Sequence, residues 1–251
     1  MMIGSGKPHG PLVSVIMPVF NGMRHLAEAL ESLLSQSYRH LEIIAIDDSS
    51  SDGSLHRLQQ ISATDQRVVP LAIAHGGIAT ARNAGLAAAR GQLLTFLDQD
   101  DLCPPGRIAR HVERLSRNLD AWTIFGRTLT TADVPLASEW PRPANAPQPL
   151  TMMLSAGTFR AGLFDSVGKF DPAYTLADDL DFLLRLMEAA LAVEVEAELA
   201  TVHRRHSAQA TADLEATRRD CLRALAASLR RRRQKGNTGP LVHPLSQGRM
   251  P

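Results

Sequence analysis

The stretch from 12 to 20, LVSVIMPVF, is apolar at nearly every position, the pattern of a strand covered on both faces. Residues 22–36 then change period, with Met23, Leu26, Leu30, Leu33 and Leu34 recurring at helical spacing. The alternation repeats. LEIIAID (41–47) is followed by a helix starting near Asp52, VVPLAIA (68–74) by the alanine-rich IATARNAGLAAAR (78–90), and QLLTFLD (92–98) by PPGRIARHVERLSRN (104–118). The prolines opening that last segment suit a first helical turn, where a missing N–H costs nothing. Four such alternations predict an α/β fold with a mostly parallel sheet flanked by helices. Sheets of this kind bind ligands at the carboxyl ends of their strands.

After AWTIFGRTLT (121–130) the pattern loosens. Residues 133–149 hold five prolines and read as an irregular connection. A shorter region follows, with MMLSAGTFRAGLFDSVG (152–168), a helix over 178–190 and a strand over 191–202. Residues 213–235 read as a helix with Leu214, Cys221, Leu222, Leu225 and Leu229 on one face. It carries eight basic and three acidic residues, so it fits either a helix packed on the domain or peripheral contact with an anionic membrane. The polar start, 1–11, reads as a flexible leader, and 236–251 as a disordered tail.

Bulk charge names no partner: 27 Lys plus Arg against 26 Asp plus Glu leaves a net charge of +1, no basis for expecting nucleic-acid binding. Cys103 and Cys221 lie far apart without a CxxC spacing, which argues against a structural zinc site and suits a reducing cytoplasm. No run is long enough to span a bilayer, and the N-terminus lacks the apolar core of a signal peptide. The expectation is a cytoplasmic protein whose membrane contact, if it has any, is peripheral at the inner face.

The candidate chemistry is acidic. Asp47 and Asp48 end the second expected strand, Asp98, Asp100 and Asp101 end the fourth, and Asp178, Asp179 and Asp181 open the late helix. Helix capping needs one acid per helix and does not account for consecutive pairs. In GGIATARNAG (76–85) the glycines open a helix whose free N–H groups favour an anion, and Arg82 is the natural partner for a phosphate. Carboxylates beside an anion site imply Mg2+ or Mn2+ bridging a diphosphate. A dinucleotide-binding fold would need G-x-G-x-x-G after the first strand, where this chain has PVFNGM, and GSGK (4–7) precedes that strand and lacks the Ser or Thr of a P-loop.

VSVIMPVFNG, LEIIAIDDSSSDGS, GGIATARNAG, LLTFLDQDD and ADDLDFLLRL, in this order, resemble the successive motifs of the family-two inverting glycosyltransferases with a GT-A fold, over residues 12–206. The resemblance implies a nucleotide-sugar-binding half (12–130), an acceptor-side half (131–206), a nucleotide-diphosphate-sugar donor, a divalent metal and inversion at the anomeric carbon. It implies Pro18 and Phe20 beside the base, Asp48 as acceptor from the base, Arg82 and Asp98 on the nucleotide, Asp100 and His206 on the metal, and Asp179 as catalytic base. An aspartate such as Asp48 suits the N3–H shared by uridine and thymidine. The chain departs from the pattern at Asp178, where Glu is commoner, and at His75, where Asn is frequent. The alternatives are a non-catalytic nucleotide-sugar-binding module and a nucleotidyltransferase of similar fold. The acceptor, whether saccharide, lipid-linked, peptide or small molecule, is not written in these motifs.

Overall fold

A computed structural model of the chain describes residues 10–132, 152–207, 209, 213–237, 239 and 241. The leader to residue 9, the proline-rich stretch 133–149 and most of 236–251 lie outside the described residues. Strands β1 (Val13–Val19), β2 (Leu41–Asp47), β3 (Val68–Ala72) and β4 (Leu93–Phe96) alternate with helices α1 (Leu26–Leu34), α2 (Ser54–Thr64), α3 (Ile78–Ala88) and α4 (Arg107–Arg117). They are followed by β5 (Thr123–Ala132), β6 (Gly157–Arg160), α5 (Leu163–Val167), α6 (Asp178–Glu188), β7 (Val193–Arg205) and α7 (Leu214–Gln234). The seven strands form one sheet in the order β3-β2-β1-β4-β6-β5-β7. β1 is parallel to β2 and β4, and β2 to β3; β6 is antiparallel to both β4 and β5, while β5 and β7 are parallel.

The largely apolar runs have a direct cause: every residue of β1 and β2 is buried, because helices cover both faces. Successive side chains point to opposite faces. Val13, Val15, Met17 and Val19 therefore pack with Leu26, Leu30 and Leu33 of α1 and Ile108 and Val112 of α4. Ile16, Ile44 and Ile46 face the other way, in a layer built by α3 and by Phe96, Phe125, Phe159, Phe164, Phe170 and Phe182. Gly85 lets α3 lie directly on the sheet, since a Cβ there would come within 2.5 Å of Ile16 and 2.8 Å of Ile46.

Two elements show what the sequence pattern left open. β6, only four residues long, inserts between β4 and β5, a place that periodicity does not reveal. α7 does not pack through its leucines: Leu214, Leu222, Leu225 and Leu229 are exposed, and the buried face is Asp220, Ala224, Ser228 and Arg232. Small residues let the helix approach α6 closely, and charged ones at the margins pair with it.

Candidate functional site

Parallel pairing brings the carboxyl ends of β1, β2 and β4 to one edge of the sheet, and the loops that leave them are tied to one another. Asn21 and Ser49 adopt positive φ, 50° and 63°, so both chains turn sharply as they leave their strands. Asn21 N donates to Ser50 Oγ and its side-chain oxygen accepts from Ser51 N, while Met23 N donates to Asp52 Oδ2. Gln99, the residue between Asp98 and Asp100, grips Phe20 through both main-chain atoms, at 2.8 and 3.0 Å.

Asp48 is buried, and its carboxylate accepts from Gly76 N at 2.7 Å and Gly77 N at 2.9 Å. The His75 Nδ1 stands 3.0 Å from its Oδ2. A carboxylate offers about four lone-pair directions, so Asp48 keeps room for one further donor. Phe20 is 46% exposed, and its ring lies 4.7 Å from that of His75, tilted by 33°. Pro18 is buried inside β1, opposite Ile46. The result is an accessible planar pair above a fixed carboxylate.

Arg82 is the hub of the site. It is 3% exposed, so it is no surface arginine. One nitrogen donates to Asp178 Oδ2 at 2.7 Å and the other to Asp98 Oδ1 at 3.0 Å, while the guanidinium lies 5.6 Å from the centre of the Phe170 ring. These carboxylates hold Arg82 charged more firmly than usual despite its burial. Next to it, Asn83 makes two bonds with the main chain of Phe170, at 2.8 and 3.0 Å. α3 is thereby fastened to the turn that leads into α6.

Asp179 lies one residue beyond this bridge, partly accessible, and its Oδ1 accepts from Leu180 N at 2.7 Å. Burial pushes its carboxyl up to about 6, the Arg82 guanidinium pulls it down, and neighbouring Asp178 pushes it up again. A helix start alone would keep such a group ionised through its dipole. Here desolvation outweighs the dipole.

The end of β4 is held from the other side by β7. Leu102 and Val202 exchange two main-chain bonds, both 3.0 Å, which brings His203, Arg204 and His206 against the aspartates. Asp101 is fully buried, with His203 Nδ1 at 3.0 Å and Arg204 N at 3.2 Å. Burial lifts Asp101 above the ordinary carboxylate range, and that carboxylate in turn lifts His203. The buried Arg204 side chain reaches the Asp100 carbonyl and Glu28 of α1. The Asp100 side chain meets His206, with Oδ2 to Nε2 at 2.9 Å. Sequence reasoning missed Gln99, His203 and Arg204; the only signal was the density of basic residues in VHRRH.

Among the described residues no three His, Cys, Asp or Glu side chains converge as a metal-binding group. Asp100 and His206 form a two-donor set of carboxylate and imidazole. Their 2.9 Å spacing is close to the roughly 3 Å between neighbouring ligands on one octahedral Mg2+ or Mn2+, ions that take few protein ligands and complete their shell with phosphate and water. The pair therefore fits such an ion, and the buried His206 Nδ1, which has no hydrogen-bond partner among the described residues, leaves its orientation less firmly fixed than is usual for a ligand.

A family model for glycosyl transferase family 2 matches residues 14–151. The putative teichuronic acid biosynthesis glycosyltransferase TuaG of Bacillus subtilis is 36% identical over 124 residues, covering 49% of this chain and 49% of that protein. The uncharacterized protein y4gI of Sinorhizobium fredii is 33% identical over 189 residues, 72% of this chain and 21% of that protein. The chain thus spans less than half the length of these curated relatives. The mannosyltransferase PcManGT from Pyrobaculum calidifontis, solved in complex with GDP-Man and Mn2+, superposes with a TM-score of 0.70 at 18% identity, covering 94% of this chain and 67% of that one. TarS 1-349 of S. aureus, solved with UDP, gives 0.65 at 18% identity, over 86% and 65%. At this identity the likeness is one of fold, and the fold is of the GT-A type.

Proposed function

The chain belongs to glycosyl transferase family 2, and from that premise we propose that it moves a sugar from a nucleoside-diphosphate donor to an acceptor hydroxyl with inversion at the anomeric carbon. The observation that carries this reading is the Arg82 bridge, which joins Asp98 at the end of β4 to Asp178 at the start of α6 and leaves Asp179 outside the ion pair. Inversion needs one base on the face opposite the departing diphosphate. Asp179 removes the acceptor hydroxyl's proton as that oxygen bonds to the anomeric carbon, and the bond to the diphosphate breaks with its electron pair leaving on the phosphate. A carboxyl lifted to about 6 is half-ready for that task near neutrality, basic enough to accept a proton and ionised in most molecules.

On the donor side, Phe20 and His75 offer planar surfaces to a base, and the remaining acceptor direction of Asp48 suits the N3–H of uridine or thymidine. Asp98, with Arg82 behind it, faces the ribose or the sugar. Asp100 and His206 would hold Mg2+ or Mn2+, which when bound offsets the charge that gathers on the leaving diphosphate.

The test is a panel of nucleotide sugars incubated with Mn2+ or Mg2+ and followed by release of the nucleoside diphosphate. Uridine or thymidine diphosphate sugars should hydrolyse slowly, and Asp100→Ala should remove that activity while leaving the folded state intact. Full turnover of Asp100→Ala in the presence of a chelator, or tighter binding of adenosine or guanosine diphosphate sugars, would overturn the metal or the donor assignment respectively.

A further inference from the structure

The two faces of α7 differ in character. Its inner face is anchored at several points: Asp220 accepts from Thr175 N and Leu176 N at 2.9 and 3.2 Å, and Arg223 lies over the Tyr174 ring at 5.3 Å. Arg231 reaches Asp181 at 3.0 Å and Glu188 at 2.9 Å. Ala224 and Ser228 are buried between these contacts. The helix is held in place without its outer face.

That outer face is apolar and cationic. Leu222, Leu225 and Leu229, spaced to form one stripe, are 58%, 44% and 50% exposed, and Leu214 is 71% exposed at the helix start. Of the eight large hydrophobic side chains exposed among the described residues, four belong to this helix, so the stripe is no ordinary scatter. Arg218, Arg219, Arg230 and Arg233 are exposed along the same side, with Glu215 as the acid near them.

We propose that this outer face docks the protein on an anionic lipid surface, the leucines entering the boundary between headgroups and acyl chains and the arginines meeting lipid phosphates and acidic headgroups. A second copy of the chain is a poorer occupant. A twofold contact sets a patch against itself, which would press the arginines of one copy against those of the other. Position adds meaning to the docking. α7 packs on α6, whose first turn bears Asp178 and Asp179, and the Cys221 thiol of α7, raised first by burial, is raised further by the Asp179 charge. If Asp179 is the base, a conclusion that rests on the reading above, the acceptor is carried by a lipid and reaches the site from the membrane plane.

The test is co-sedimentation of the full chain with phosphatidylcholine vesicles, with and without phosphatidylglycerol. Binding is expected only with phosphatidylglycerol and should weaken as salt rises. Leu222→Ser/Leu225→Ser/Leu229→Ser and Arg218→Gln/Arg219→Gln/Arg230→Gln/Arg233→Gln should each lower partitioning by about tenfold or more while circular dichroism stays that of the parent. Wild-type protein left in the supernatant with anionic vesicles, or variants that bind as well as the parent, would overturn the proposal. So would a solution dimer that the triple leucine variant dissolves, because the face would then belong to a second copy. Asp179→Asn should still bind vesicles, so failure of docking and failure of the catalytic reading are seen separately.

Discussion

Between β3 and β4 the sheet is filled mainly by aliphatic side chains, with Val15, Ile16, Met17, Ile43 and Ile44 all at or below 1% exposure. Between β4 and β7 the same sheet buries charge. Arg107 bonds Thr95 Oγ1 at 2.7 Å and the Gly157 carbonyl at 2.8 Å, and His111 sits between Thr158 Oγ1 at 2.8 Å and Glu196 Oε1 at 3.0 Å. Arg204 is likewise buried. The first region is stabilised chiefly by removing apolar area from water, a contribution tolerant of changes that conserve volume, and the buried Glu42, held by Ser14 and Arg90, is an ionic pair within it. The second depends on buried polar networks, in which loss of one partner strands another in low dielectric. Both regions meet at the end of β4, so the aspartates there inherit a rigid apolar backing on one side and a charge-governed clamp on the other.

The largest expected effect lies on the charged side, at a group that the fold does not need. Asp179→Asn should lower turnover by about 10²- to 10⁴-fold with little change in donor affinity, measured by steady-state transfer and by donor titration. Near-normal turnover would break the assignment. The parent's rate should rise with pH through about 6, because only the ionised carboxylate accepts a proton. Arg82→Met removes the cation between Asp98 and Asp178 and should cost about 3–5 kcal/mol in urea unfolding, since one of the stranded carboxylates is buried. Arg82→Lys, which keeps the charge, should recover part of that loss and hold the acid limb of the rate profile close to the parent's.

His111 sharpens the comparison through stability alone. Burial resists its charging and depresses it from 6.5 to about 4. The folded state thus favours the neutral ring: this contribution is full above about 6.5 and is lost as pH falls from there toward 4. Unfolding free energies from urea titrations at about pH 7.5 and about pH 5 should differ by roughly 1–3 kcal/mol more in the parent than in His111→Gln. An equal pH dependence in both would mean that the buried network is not titrating. The smallest effect is expected at Gln99→Ala, about 1 kcal/mol, because its two bonds to Phe20 are made at an accessible edge.

The same contrast explains what was legible in the sequence. β1 and β2 stood out because strands covered on both faces are largely apolar, and β2 matches its expected limits, 41–47. β6 did not stand out: GTFR carries no period, and its strand conformation comes from β4 and β5 on either side. Of the proposed site residues, the aspartates announced themselves by clustering at strand and helix ends. The partners that fix them did not. The Arg82 link to Asp178 spans 96 residues and the His203 link to Asp101 spans 102, distances over which local pattern carries no signal. Leu214, Leu222, Leu225 and Leu229 left the helix's placement open for the converse reason, since helical spacing marks a shared face but not the side on which the domain lies.

The order of the strands also bears on how the chain is made. β1 to β4 neighbour one another, so each can pair soon after synthesis, whereas β5 lies between β6 and β7, both encoded downstream. During translation the ten-residue strand TIFGRTLTTA therefore leaves the ribosome with neither edge satisfied. A nascent chain in that interval exposes two templates for intermolecular pairing, and a message truncated between β5 and β6 would make the exposure permanent. Such a product should accumulate as aggregate, while one ending after α4 would lack the offending strand.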